Sequence, residues 1–323
     1  MLQNLKTSIN TTRRRCEHNV FELITAAVFA IFAEDSSAVI NKSTVFEFID
    51  QKESKLTCLD KKEYLADKFN KEKKFPKYIN ELVNQIKTNP LFMETISNID
   101  RVIVTGKQIV DLEIISLNSG LDVKDAKSDI YFKMKSAYFT PYIGMSVKQD
   151  KHCTKTNYSV TKLLSPEDRN LCKSIKLAHL EGCERVIKTD DSSTKKQKRM
   201  LINKKFYNRN NPYFNILAIK IQENHEYITN TLVNALLSSK VPYPVYEFNG
   251  SKLSMLTSQI PSNIHFHEEA SFYLDTKGKR RQTAKMFYKL TFNTGVEVSQ
   301  YRVEIRWKGA VHTASPQFQC HSL

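Results

Sequence analysis

Two β-prone runs, Ser128–Phe132 and Tyr142–Lys148, are joined by a polar segment containing Pro141, and this pair constrains the chain more than any other stretch. Aromatic and β-branched side chains suit a pleated, half-buried surface, whereas Pro141 cannot donate to a ladder, so the segment reads as a hairpin with its connection. If the two runs pair, Asp129 opens one strand, Lys148 closes the other, and both project into one cleft. A carboxylate there holds a hard divalent cation and an ammonium steadies an attacking water, which suits phosphodiester hydrolysis. The bland alternative is an acid and a lysine at two strand ends that form only a weak surface pair.

With Ser128-Asp129 at its opening and Ser146-Val147-Lys148 at its close, the hairpin resembles the PD-(D/E)XK nuclease superfamily and, within it, the type II restriction endonucleases. The resemblance spans Lys124–Leu164. In that family an Asp opens one strand and an acid-X-Lys triplet closes the next; here Ser146 stands in the place of the second acid. The resemblance implies a restriction-endonuclease-like mixed sheet flanked by helices, with Mg²⁺ as cofactor and Asp129 as its ligand. Lys148 is then the group that orients the water or offsets developing charge, and Ser146 holds a metal-bound water. Double-stranded DNA is the implied substrate, restriction-modification with a cognate methyltransferase the implied setting, and a homodimer the assembly expected on two-fold symmetric DNA. Some members with a Ser-X-Lys triplet take the missing acid from a following helix, but Tyr158–Lys162 carries none. The second metal carboxylate therefore has to come from elsewhere; Glu113 is preferred over Asp111 and Asp122, with Glu22 as a further candidate.

Charge points to the same class of partner. Lys and Arg number 49 against 34 Asp and Glu, a formal net charge of +15, which favours a polyanion through phosphate contacts and counterion release. The densest positive stretch, Lys188–Asn211, holds Lys195, Lys196, Lys198, Arg199, Lys204 and Lys205; a solvated loop has the same composition, but the unbalanced charge favours phosphate contact. Further cations fall on the Thr276–Gln282 loop, with Arg280 and Arg281, and on the run Arg302–Lys308, with Arg306. A non-catalytic nucleic-acid-binding or packaging protein, with Asp129 and Lys148 purely structural, is the competing reading.

Order along the chain divides it into a helical part, 1–98, and a sheet-bearing part, 99–323, a mixed α/β fold. The apolar run Val20–Ala33 is interrupted by Glu22 and is too short to span a bilayer, so it reads as a buried first helix with no membrane role. Capping-box patterns start helices at Thr44 and Asp60, and Pro76 opens a helix with Ile79, Leu82, Val83 and Ile86 on one face. Arg101–Thr105 begins the sheet; Gly106-Lys107 lacks the spacing of a phosphate loop, and no nucleotide cofactor is expected. Gln108–Ser116 is ambiguous between strand and helix. Ser165-Pro166 starts a helix expected to end at Gly182, and Asn215–Leu237 reads as one long helix covering a sheet face. Four later β runs, Val245–Phe248, Ser271–Leu274, Met286–Phe292 and Tyr301–Trp307, predict an antiparallel C-terminal part.

The six cysteines form no C-x-x-C pair, which suggests reduced thiols and an intracellular, cytoplasmic home. Cys172, His179 and Cys183 lack a fourth ligand, and packing is their expected role rather than zinc. His265 and His267 would share a face if their segment were a strand, although a loop with hydrogen-bonded imidazoles is favoured.

Overall fold

The structure, a computed structural model, describes residues 20–51, 55–57, 74–104, 112–119, 128–136, 138–149, 154–188, 194, 197–198, 201–202, 206, 212–237, 241–256, 261–269, 272–274, 280–282, 286–295, 297–307 and 316–323. The fold is mixed α/β, and the chain forms two units: Met1–Cys153 with Leu237–Ser258, and Thr154–Leu236 with Gln259–Leu323. Among the described residues no helix is long and apolar enough to cross a membrane.

Helix α1, Val20–Glu34, is apolar on every side, and a helix of that kind is buried rather than amphipathic. Every residue from Leu23 to Phe32 is buried, and the polar exception, Thr25, donates its hydroxyl to Phe21 O at 2.8 Å and meets the Tyr78 hydroxyl at 2.7 Å. Helix α2, Lys42–Asp50, follows. Its cap is Asn41, whose side chain accepts from the Ser43 and Thr44 amides while the Thr44 hydroxyl bonds back to the Asn41 amide. The helix therefore starts three residues before the Thr44 cap read from sequence. The start expected at Asp60 lies outside the described residues. After strand β1, Leu56–Thr57, come α3, Phe75–Lys87, with Pro76 in its first turn, and α4, Pro90–Ser97. Proline fits both first turns because it lacks only an amide that the helix leaves unused there.

Strand β2 covers Ile99–Val104, helix α5 covers Leu112–Leu117, and the expected hairpin appears as β3, Ile130–Met134, and β4, Tyr142–Val147. The chain then builds β5, Thr156–Ser159, α6, Pro166–Lys188, α7, Pro212–Glu223, and α8, His225–Leu236, in the second unit. Helix α6 continues past Gly182, where an added Cβ would meet nothing within 4 Å; a lone glycine costs about 1 kcal/mol relative to alanine, which a long helix tolerates. The single helix expected over Asn215–Leu237 is two. Asn224 breaks it, its side-chain amide donating to Lys220 O at 2.9 Å and to the Asp168 carboxylate at 3.3 Å, a local competition with the helical ladder.

Strands β6, Val245–Phe248, and β7, Leu253–Met255, return to the first unit and complete a six-stranded sheet in the order β1-β2-β3-β4-β6-β7. Strand β6 pairs parallel with β4, against the antiparallel arrangement that its place in the sequence suggested. Alternation gives this sheet two different faces. Ile130, Phe132, Ile143, Met145, Val147 and Phe248 join α1 and α3 in the main core, with the Phe29 and Phe132 rings 4.8 Å apart. Ile103, Tyr131, Tyr142 and Val245 point the other way, where α5 and Tyr243 cover them.

In the second unit β8, Ser262–Glu269, β11, Phe287–Asn293, β12, Val298–Trp307, and β13, Pro316–Ser322, join β5 in an antiparallel sheet ordered β5-β13-β12-β11-β8. A separate pair consists of β9, Phe272–Leu274, and β10, Arg280–Gln282. One face of the five-stranded sheet is apolar, with Phe266, Tyr288, Leu290, Val303 and Phe318 buried, and α8 lies against it, His225 Nε2 being 2.6 Å from Phe266 O.

Gly144 is fixed by packing. A Cβ there would come 2.0 Å from the Ser128 hydroxyl and 2.8 Å from the Tyr243 ring. Gly144→Ala should destabilise the protein by about 1–3 kcal/mol through overpacking, read as a lowered midpoint in urea or heat; an unchanged midpoint would show that Ser128 and Tyr243 can move aside.

Candidate active site

Strands β3 and β4 pair antiparallel, Ile130 opposite Met145 and Tyr131 opposite Gly144, so the next position sets Asp129 opposite Ser146. Strands β4 and β6 pair parallel with Ser146 opposite Glu247, and β7 sets Ser254 against Glu247. Asp129, Ser146 and Glu247 therefore form one lateral row across three adjacent strands. Lys148 lies two residues beyond Ser146, its amide bonded to Phe248 O at 2.8 Å, and by alternation it shares the face of the row. The register thus brings Asp129, Ser146 and Lys148 to one face of the sheet.

The environment of Asp129 is tight. Its amide donates to Met145 O at 2.8 Å, and its carboxylate accepts from the Val147 amide at 2.7 Å and from the Ser146 hydroxyl. The residue keeps some exposed surface, but atoms crowd the carboxylate itself, and this desolvation pushes its pKa above the ordinary aspartate value. The Lys148 charge and the two hydrogen bonds pull the other way without prevailing, and the Glu247 charge adds to the upward shift. Two carboxylates thus act on each other at this spot, with one ammonium beside them.

Below the row lies a buried polar layer. Tyr243 donates its hydroxyl to Asn118 Oδ1 at 2.8 Å and meets the Tyr131 hydroxyl at 3.3 Å, while the Asn118 amide donates to the Tyr131 hydroxyl at 3.2 Å and to Ile114 O at 2.9 Å. Burial and the bond to Tyr243 raise the Tyr131 phenol well beyond its usual range, so these groups stay neutral and serve as a rigid floor.

Glu113 is not the second acid. Gln108–Ser116 resolves in its described part as helix α5, and Glu113 there is exposed, bonded to Lys133 Nζ at 2.6 Å and to the Tyr142 hydroxyl. Those contacts hold its carboxyl below the usual glutamate value, the Lys133 bond most of all. Lys133 sits four residues beyond Asp129 on one strand, which at 3.3–3.4 Å per residue puts the Glu113 clamp about 13 Å from the row. One cation cannot bridge that span. Glu22 rides on α1, which covers the opposite face of the sheet. Asp111 and Asp122 lie outside the described residues.

Glu247 does not stand out in the sequence, because Val245-Tyr246-Glu247-Phe248 reads as an ordinary short strand and its partner is distant along the chain. The available signal was a lone acid with apolar neighbours on both sides, at a position whose alternation puts it on the same face as Val245.

Among the described residues no three or more His, Cys, Asp or Glu side chains gather as a cation site. The donor set to test is therefore Asp129 and Glu247 with the Ser146 hydroxyl. It fits Mg²⁺: the donors are hard oxygens, the cation needs only one or two carboxylates when phosphate oxygens and water complete its shell, and a divalent charge would relieve the mutual repulsion felt by Asp129.

Comparison with family models, curated proteins and solved structures yields no match.

The other residues expected to meet DNA are scattered. Lys195, Lys196, Arg199, Lys204 and Lys205 lie outside the described residues. Lys198 is described and half-buried, its amide bonded to Thr194 O at 2.9 Å. Arg280 and Arg281 pair by backbone with Leu274 and Tyr273, and Arg306 pairs with Gln317. Cys183 Sγ lies 3.7 Å from His179 Nε2, one turn away on α6, and Cys172 is buried with its thiol pushed up to about 11, first by burial; these are packing roles.

A carboxyl whose folded pKa is raised contributes stability that is complete below its unfolded value and is lost as pH rises through the folded one. In EDTA, Asp129→Asn should therefore melt above the wild type at pH 7.5, with the gap closing below about pH 4, near the unperturbed aspartate value. A constant gap across that range, read by thermal melts, would contradict the desolvation of Asp129.

Proposed function

We propose that the protein is a Mg²⁺-dependent endonuclease that hydrolyses phosphodiester bonds in double-stranded DNA, in the manner of a type II restriction enzyme. The observation that carries this reading is the lateral row Asp129–Ser146–Glu247 with Lys148 on the same face. Asp129 and Glu247 would hold the cation, which supplies charge to polarise the scissile phosphate when bound. Lys148 orients the water by hydrogen bonding and offsets negative charge as it develops. The Ser146 hydroxyl, tied to Asp129, keeps that carboxylate aimed across the row, and the Val147 amide fixes its other oxygen. Parallel pairing of β6 with β4 sets Glu247 beside Ser146, and this supports Glu247 as the acid that the Ser-X-Lys triplet lacks. The net charge of +15 favours a nucleic acid as substrate. DNA as substrate implies an intracellular site of action, and cutting at two-fold sites calls for a homodimer.

Incubation with supercoiled plasmid, with Mg²⁺ or with EDTA, tests the reading. Wild type should produce discrete fragments only with Mg²⁺. Asp129→Asn, Glu247→Gln and Lys148→Met should each lose at least about 100-fold in cleavage, the scale on which a single positioned charge acts in a transition state, while Glu113→Gln should keep wild-type rates. Cleavage that survives Glu247→Gln would remove Glu247 from the site. A gel shift without any cleavage would favour the non-catalytic nucleic-acid-binding reading.

A further inference from the structure

The turn between β6 and β7 brings a second row of side chains alongside the candidate site. The Lys148 amide donates to Phe248 O at 2.8 Å, which in a parallel pair sets Lys148 opposite Asn249. The Asn249 amide donates to Lys252 O at 3.1 Å and so sets Asn249 opposite Lys252. A row Lys148–Asn249–Lys252 therefore follows the row Asp129–Ser146–Glu247–Ser254, two residues and about 6.6 Å further along the strands. Phe248 and Leu253 point into the main core, so Asn249 and Lys252 take the other face, the one that carries Glu247.

The turn that presents Lys252 is fixed from within. Gly250 has a φ of 83°, a left-handed value that glycine adopts without strain. Asn249 Oδ1 accepts from the Ser251 amide at 3.1 Å, the Lys252 amide at 2.8 Å and the Ser251 hydroxyl at 3.1 Å. A ligand held by Lys252 thus has little backbone to order first. Lys252 is exposed, and among the described residues no carboxylate pairs with it. Lys148 lies two strands away, about 10 Å. Glu247 is the diagonal neighbour of Lys252, about 7–8 Å off, and a solvated pair across that distance is worth little.

We propose that Lys252 binds the backbone phosphate next to the scissile one. Lys148 then serves the reacting phosphate and Lys252 its neighbour on the same strand, while the acid row holds the cation; this assignment rests on the nuclease reading. A compact ammonium on a flexible stem suits such a point contact. Contacts of this kind set the register of a duplex over a site without reading its bases.

The test uses the full chain with Lys252→Gln and Lys252→Arg, and with Lys77→Gln, an exposed lysine on α3 beyond the opposite face, as control. Duplex binding is followed by anisotropy in Ca²⁺ across a salt series, and cleavage is followed in Mg²⁺. Lys252→Gln should reduce the slope of log affinity against log salt by about 0.9, so that between 50 and 200 mM salt the wild type loses about threefold more affinity than the variant. It should raise KM more than it lowers kcat, and Lys252→Arg should restore the slope. A neutral methylphosphonate placed next to the mapped cut should weaken the wild type and leave Lys252→Gln unaffected. An unchanged slope in Lys252→Gln, or an equal fall in Lys77→Gln, would overturn the contact even where Mg²⁺-dependent cleavage stands. Equal weakening of wild type and Lys252→Gln by the methylphosphonate would remove Lys252 from that phosphate. A reduced slope, restored by arginine, in a protein that never cleaves would uphold a phosphate contact at Lys252 and overturn the nuclease reading.

Discussion

Helix α1 decides where chemistry in the first unit can occur. Because it is apolar all round, it must be covered on every side, and it is: the sheet closes one flank, and α3 with its Phe75 and Tyr78 rings closes another. A stretch from Leu23 to Phe32 that excludes water fixes one sheet face as core. Alternation then leaves the opposite face to everything polar. Asp129, Ser146, Glu247 and Lys148 owe their common face to that division, and so do the Tyr131, Tyr243 and Asn118 groups below them.

Strand order supplies what alternation alone cannot. Residues on one face of one strand stand in a line along it, but a cation requires donors from several directions. The order β3-β4-β6 sets two acids on either side of a serine, whose short side chain separates them without filling the space. Burial then raises the energy of the Asp129 carboxylate, and Lys148 only partly offsets this. Stability is given up at the place where a positive charge would restore it.

Local sequence carries the hairpin and the starts of the helices led by Pro76 and Pro166, because their signals are short-range: β-prone composition, a turn proline, a cap. The same reasoning found Asp129, Ser146 and Lys148, since all three ride on adjacent strands of one hairpin. It missed Glu247, whose place depends on a pairing across more than ninety intervening residues, and no periodicity within Val245–Phe248 reports which strand lies beside it. Glu113 lies close to the hairpin in sequence, but α5 turns it toward Lys133 and Tyr142 instead. The helix break at Asn224 was legible in principle, because an Asn in mid-helix competes for backbone carbonyls, but the apolar spacing on either side masked it.

Strand β6 belongs to the first sheet yet follows the whole of Thr154–Leu236 in the chain. During synthesis the ribosome therefore releases Asp129, Ser146 and Lys148 well before it makes Glu247. At 5–20 residues per second, the roughly one hundred residues between Ser146 and Glu247 take on the order of 5–20 s. Throughout that interval the nascent sheet ends at β4, with an unpaired edge and one carboxylate. A chain with this layout carries its own delay: Glu247 arrives only after the whole of Thr154–Leu236, and truncated products ending before Val245 lack it altogether.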